Sequence, residues 1–180
     1  MKSVLLSVRP EWVAKILNGE KTIEIRKKFP KDYVGWVYIY CTKNGDYLMK
    51  KASGNGYITC MRNIQPKQTK YSKSVLNGKV VARFWCDKVE EHRPFFHWCI
   101  EKESCLTRDE VLDYLDSKDK FVGNPKRQDK VYAIHITKLE IFDKPKELSE
   151  FSIKVFPHRK DNLMTRYLTR APQSWCYVEI

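Results

Sequence analysis

Gly19-Glu20-Lys21-Thr22-Ile23-Glu24-Ile25-Arg26 is the stretch on which the fold turns. Charged and apolar residues alternate through it, so an extended strand puts Ile23 and Ile25 on one side and Thr22, Glu24 and Arg26 on the other. The apolar pair reads as core-facing. The polar row has two readings: a solvated strand face with Glu24 and Arg26 pairing at the surface, or the floor of a small polar site. Just upstream, Trp12, Val13, Ile16 and Leu17 share one face at helical spacing. Pro10 suits the first turn of that helix, and Gly19 suits the position that ends it. With an aliphatic strand at 4–8 before it, the N-terminal unit reads strand, helix, strand.

Outward from that unit, further strands are expected at 35–41, 80–89, 131–142 and 175–180. Pro145 is expected to stop the third of these. Thr107 and Glu110 have the spacing of a capping box, which starts a helix at about 108–115 with Val111, Leu112 and Leu115 as its buried stripe. Residues 42–78 change composition: glycines and lysines enter and Asp46 is the lone acid. They read as a basic insertion with a short strand near 57–60. Lys67, Lys70, Lys73 and Lys79, interleaved with Tyr71, suit phosphates and a stacked base, or equally a solvated loop. Residues 152–174 read as an irregular C-terminal extension. Several short strands with two clear helices argue an α+β chain built on a small mixed β-barrel flanked by two or three helices.

The chain has 180 residues, enough for one domain with a real core, and its 42% hydrophobic and 13% aromatic content excludes a disordered chain. No run is long enough to span a bilayer, no leader is visible, and six scattered cysteines without a Cys-x-x-Cys pair fit reduced thiols in a cytoplasmic protein. The net charge of +12 favours a polyanionic partner, with nucleic acid first and a membrane surface disfavoured. His92, His97, Cys99 and Cys105 match no ligand spacing, so neither a metal nor a cofactor is expected. His135 reads as a satisfied core histidine, and Trp36 and Trp85 as core. A monomer is favoured.

The runs Val8-Arg9-Pro10-Glu11-Trp12-Val13 and Ile16-Leu17-Asn18-Gly19-Glu20-Lys21-Thr22-Ile23-Glu24-Ile25-Arg26-Lys27 resemble the ASCH domain family, of the PUA-like superfamily. Ser104-Cys105-Leu106-Thr107, Tyr132-Ala133-Ile134-His135-Ile136 and Pro172-Gln173-Ser174-Trp175-Cys176-Tyr177-Val178 extend the likeness, in the order of the longer bacterial and phage-type members. It covers most of the chain outside 42–78 and 152–170. The resemblance implies an incomplete β-barrel with a cleft beside the first helix, thought in the family to bind RNA. It also brings two enzymatic precedents: an amidohydrolase that removes the acetyl group of N4-acetylcytidine, and a branch linked to ribonuclease activity.

The amidohydrolase works with a lysine, a threonine and a glutamate. Its lysine falls on Lys21 and its glutamate on Glu110, but its threonine falls where this chain has Glu24. Thr22 is close by, yet at a different motif position. A carboxylate cannot replace a hydroxyl nucleophile, although it can serve as a base toward water. The candidate catalytic residues are therefore Lys21, Glu24 and Glu110. The candidate ligand-binding residues are Ser7, Arg9, Lys21, Thr22, Glu24, Arg26, Lys27 and Lys28. Three functions follow: an RNA- or modified-nucleoside-binding domain, a hydrolase of N4-acetylcytidine or RNA using Lys21 and Glu24, and a phage-type regulator of a host protein.

Overall fold

The computed structural model describes residues 2–43, 47–52, 56–61, 75–92, 100–115, 130–155 and 164–180. Lys67, Lys70, Tyr71, Lys73, His97 and Cys99 lie outside these residues, as do the side chains of Leu112 and Leu115.

Strand β1 (Ser3–Val8) leads into helix α1 (Pro10–Leu17), with Pro10 in its first turn. The helix ends as its sequence dictates. Gly19, at φ +77°, donates to the Ile16 carbonyl (3.0 Å) and Glu20 donates to the Lys15 carbonyl (2.9 Å), which satisfies the last turn. That left-handed turn aims the chain directly into β2 (Ile23–Arg26). Strand β3 (Gly35–Cys41) then pairs parallel to β1.

The expected insertion holds an antiparallel pair, β4 (Tyr47–Lys51) and β5 (Tyr57–Met61). The strand expected at 80–89 breaks at Asp87 and Lys88 into β6 (Val80–Cys86) and β7 (Val89–His92). A short helix α2 (Glu101–Ser104) precedes α3 (Arg108–Leu115). The single strand expected at 131–142 is two strands, β8 (Val131–His135) and β9 (Thr137–Lys146), which part at Ile136 and enter different sheets. The left-handed backbone of Lys138 (φ 45°) accompanies that switch. Pro145 does not stop β9, which pairs only with β6 among the described residues and so tolerates a missing donor. The extension expected to be irregular contains a hairpin of β10 (Ser152–Val155) and β11 (Met164–Tyr167), ahead of β12 (Trp175–Val178).

Two sheets organise these pieces. The larger runs β12-β1-β3-β6-β9, and the smaller runs β2-β8-β7. Val4, Leu6, Val37, Ile39 and Phe84, on one face of the larger sheet, pack with Val13 and Ile16 of α1. Leu5, Tyr38 and Tyr40, on its other face, are covered by Phe151 and Leu168. Ile23 and Ile25 join Ile100, Val111, Val131 and Ala133 in a third cluster that fixes α2 and α3 to the smaller sheet. The result is an α+β fold with three α-helices among the described residues, in which β2 is sandwiched between the α2–α3 unit and β1.

Candidate functional site

Placement between two packed layers buries both sides of β2. Ile23 and Ile25 go where alternation sends them, into the third cluster. The polar row does not reach solvent: Glu24 is 3% exposed and Arg26 9%, while Lys21 just ahead of the strand is 2% exposed. The reading as a solvated face with surface ion pairing is therefore corrected. Lone charges pay several kcal/mol each for such burial, so their partners matter.

Those partners are complete. Arg26 donates to the Glu24 carboxylate, to the Ser7 carbonyl (2.6 Å) and to the Ile25 carbonyl (2.8 Å). The Lys21 ammonium lies 3.4 Å from the other Glu24 oxygen, donates to the Ser104 carbonyl at the end of α2, and sits 5.2 Å from the centre of the Trp12 ring. Burial pulls the Lys21 pKa below its ordinary value, with Glu24 opposing that shift. The backbone around Lys21 is sewn to the same turn: Thr22 N–H donates to the Glu103 carbonyl (2.8 Å), and the Cys105 thiol to the Glu20 carbonyl (3.3 Å).

Lys21, Glu24 and Arg26 form the floor of a cleft of about 970 Å³. Its α3 wall carries Glu110, Asp113 and Tyr114; its opposite wall is the 169–174 segment with Arg170 and Gln173. Trp12, Tyr40 and the cations Arg9 and Lys43 complete the lining. The 169–174 wall is tied to β1, because Ser7 donates its hydroxyl to the Pro172 carbonyl (2.7 Å) and its N–H to the Ser174 carbonyl (2.9 Å).

The candidates read from sequence thus divide. Ser7, Arg9, Lys21, Glu24, Arg26 and Glu110 line the cleft together. Glu110 is already engaged, accepting from the Thr107 N–H (2.8 Å) and hydroxyl (3.1 Å) in the expected capping box. Thr22, Lys27 and Lys28 are exposed and outside the lining. Lys27 still borders it, with its ammonium 5.1 Å from the Tyr114 ring centre. Lys28 lends its carbonyl to the Trp175 indole N–H (2.7 Å). Sequence reasoning missed Trp12, Tyr40, Tyr114 and Arg170 as cleft residues. For Trp12 the signal was present, since a large aromatic one helical turn from the Lys15 position brackets the motif; for Arg170 there was none.

His135 is satisfied by Glu90 (2.8 Å), but it is half-buried rather than in the core. Trp36 and Trp85 are also half-buried, stacked edge to face at 5.4 Å. Among the described residues no three metal-ligating side chains converge.

A mixed sheet wrapped by short helices, with a cleft beside α1 and β2, can be compared with known folds. The crystal structure of ASCH from Zymomonas mobilis superposes with a TM-score of 0.56 over 99% of this chain and 88% of that one, at 16% identity. This chain has the ASCH fold. Two mutants of the same ASCH protein, one tyrosine-to-phenylalanine and one serine-to-alanine, match with TM-scores of 0.57 at 15% identity, covering 99% of this chain and 91% and 89% of theirs. No family model and no curated protein matches the sequence. The ASCH likeness is therefore one of architecture. No helix among the described residues is long and apolar enough to cross a membrane.

Proposed function

We propose that the cleft binds a nucleotide of an RNA strand. The observation that carries this reading is the buried Lys21–Glu24–Arg26 cluster on the floor of a cleft rimmed by cations. A carboxylate offers about four lone-pair directions. Arg26 and Lys21 hold two of them, which leaves Glu24 able to accept from an exocyclic amine such as that of cytosine. Arg26 and Lys21 also prevent the carboxylate from turning. Arg9 and Arg170 at the mouth suit the phosphates, and the Trp12 and Tyr114 rings suit stacking. The ASCH fold of the solved neighbours supports the same reading by analogy.

One observation favours a hydrolase as the second reading: Lys21 stands 3.4 Å from Glu24 on the cleft floor, and the Glu24 carboxylate can serve as a base toward a water. Attack of that water on the acetyl carbon of N4-acetylcytidine would release cytidine and acetate. No threonine of the motif is available as nucleophile, because Thr22 lies outside the cleft.

The test combines equilibrium binding of single-stranded RNA and of cytidine with chromatography of N4-acetylcytidine after incubation, for wild type and Glu24→Gln. Binding weakened tenfold or more in the variant, with no product, supports the binding reading. Product that disappears with Glu24→Gln moves the chain to the hydrolases. Neither binding nor product would turn the search to a protein partner.

A further inference from the structure

Lys27 and Lys28 follow Arg26 directly out of the cleft floor and stay exposed. The loop they open, residues 27–34, carries three lysines against Asp32, a net +2. Four aromatic rings hold it in place. Phe29 and Tyr33 of the loop are buried and meet edge to face at 5.7 Å. Phe29 also meets Trp175 of β12 at 5.5 Å, Trp175 meets Tyr177 at 5.4 Å, and Tyr33 meets Tyr177 at 6.3 Å, which closes the set. Two polar bonds lock it: the Trp175 indole N–H donates to the Lys28 carbonyl (2.7 Å), and the Tyr33 hydroxyl donates to the Trp36 carbonyl (2.7 Å). Of the four rings, Tyr177 is the one left open, with 40% of its surface exposed.

This patch continues the cleft from both of its walls. The 169–174 wall runs straight into Trp175, and Tyr177 follows on the same side of β12. On the α3 wall, the Lys27 ammonium lies 5.1 Å from the centre of the Tyr114 ring. An exposed ring with a lysine fixed beside it suits the next unit of a strand already held in the cleft, because every base has a π face and every unit carries a phosphate. We propose that Tyr177 and Lys28 form a second nucleotide site: the base next to the one in the cleft stacks on Tyr177, and Lys28 neutralises a phosphate of that step. This rests on the nucleotide reading of the cleft, and it makes the ligand an oligonucleotide rather than a nucleoside. Stacking accepts any base, so the second site adds affinity while the cleft supplies discrimination.

The full chain is titrated with cytidine monophosphate and with a short oligocytidylate over a range of salt concentrations. In wild type the oligonucleotide binds more tightly than the mononucleotide. Tyr177→Ala cuts that advantage on the order of tenfold, the size of one base–aromatic stack, and leaves the mononucleotide within about twofold of wild type. Tyr177→Phe keeps the ring and holds the advantage to within about threefold of wild type. Lys28→Gln lowers the slope of log oligonucleotide affinity against log salt by about 0.7, one phosphate contact. Lys138→Gln, on the opposite edge strand β9, leaves that slope as it is. An advantage absent in wild type or intact in Tyr177→Ala, a slope intact in Lys28→Gln, or an equal fall in Lys138→Gln would overturn the second site. So would an equal weakening of both ligands in Tyr177→Ala, because the ring would then support the fold and not a base. Failure of the cleft reading looks different: Glu24→Gln would then leave both ligands bound as in wild type.

Discussion

The protein pairs an arginine with a glutamate in two settings that share their chemistry and differ in their surroundings. On the outer face of the larger sheet, Arg83 donates to Glu140 (2.6 Å) and stacks 4.1 Å from the centre of the Trp36 ring, with both charged side chains partly exposed. On the cleft floor, Arg26 meets Glu24 with both side chains almost fully buried and with Lys21 alongside. Water can replace either partner of the first pair. It cannot do so for the second, and an apolar set of the same volume would serve stability as well or better. Charges kept in such a place, facing a cleft, are the observation on which the proposed binding reading rests.

The largest effect is expected from Glu24→Ala. Removing the one anion leaves Lys21 and Arg26 uncompensated, and unfolding free energy is expected to fall by about 3–5 kcal/mol in chemical denaturation. The triple replacement Lys21→Met/Glu24→Leu/Arg26→Met, by contrast, is expected to keep stability within about 2 kcal/mol of wild type and to lose RNA binding altogether. A triple variant that unfolds would make the cluster structural. Next in size, Arg83→Ala on the outer face is expected to cost about 1 kcal/mol, from an exposed pair and a cation–π contact. RNA affinity should not change with it.

Titration sharpens the contrast further. The folded state holds the Lys21 proton less tightly than the unfolded chain does, so the unfolded state binds more protons as pH approaches 10.5. Stability therefore gains from this group as pH rises toward that value, and Lys21→Met removes that part of the gain. Glu90, on the exposed edge of the smaller sheet, acts with the same sign in an acid window, because its folded pKa is lowered too. Its hydrogen bonds from Lys88 and then His135 lower its pKa from 4.5 to about 2. Its contribution is present above 4.5 and is lost as pH falls toward 2, so Glu90→Gln should flatten the acid limb of a stability–pH profile. This is the smallest of the effects, because solvent reaches the group.

Local chemistry made much of this fold legible. Pro10, Gly19 and the Thr107–Glu110 box each satisfy a helix end, and the helices start and stop where those residues stand. Alternation placed Ile23 and Ile25 correctly, because only one side of β2 meets α3. It could not reveal that the other side is also covered, since burial of Glu24 and Arg26 depends on β1 and on a wall contributed 165 residues away, through Ser7 and Pro172. The split between β8 and β9 was hidden for a related reason: β-branched and aromatic residues run through both halves of 131–142, and only their partners differ. Strand β4 was masked by the lysines around it, although Met49 is its only fully buried side chain. Tyr114 and Arg170 join the cleft from elements distant in sequence, which no spacing rule records.

The most direct test of the cleft is to titrate the protein with single-stranded RNA while following indole and guanidinium resonances by NMR. Trp12 and Arg26 are expected to shift with the added RNA, while Trp36, Trp85 and Arg83 stay where they are. Shifts confined to Trp36, Trp85 and Arg83, with Trp12 and Arg26 unmoved at saturation, would contradict the cleft reading and move the nucleic-acid surface away from the cleft.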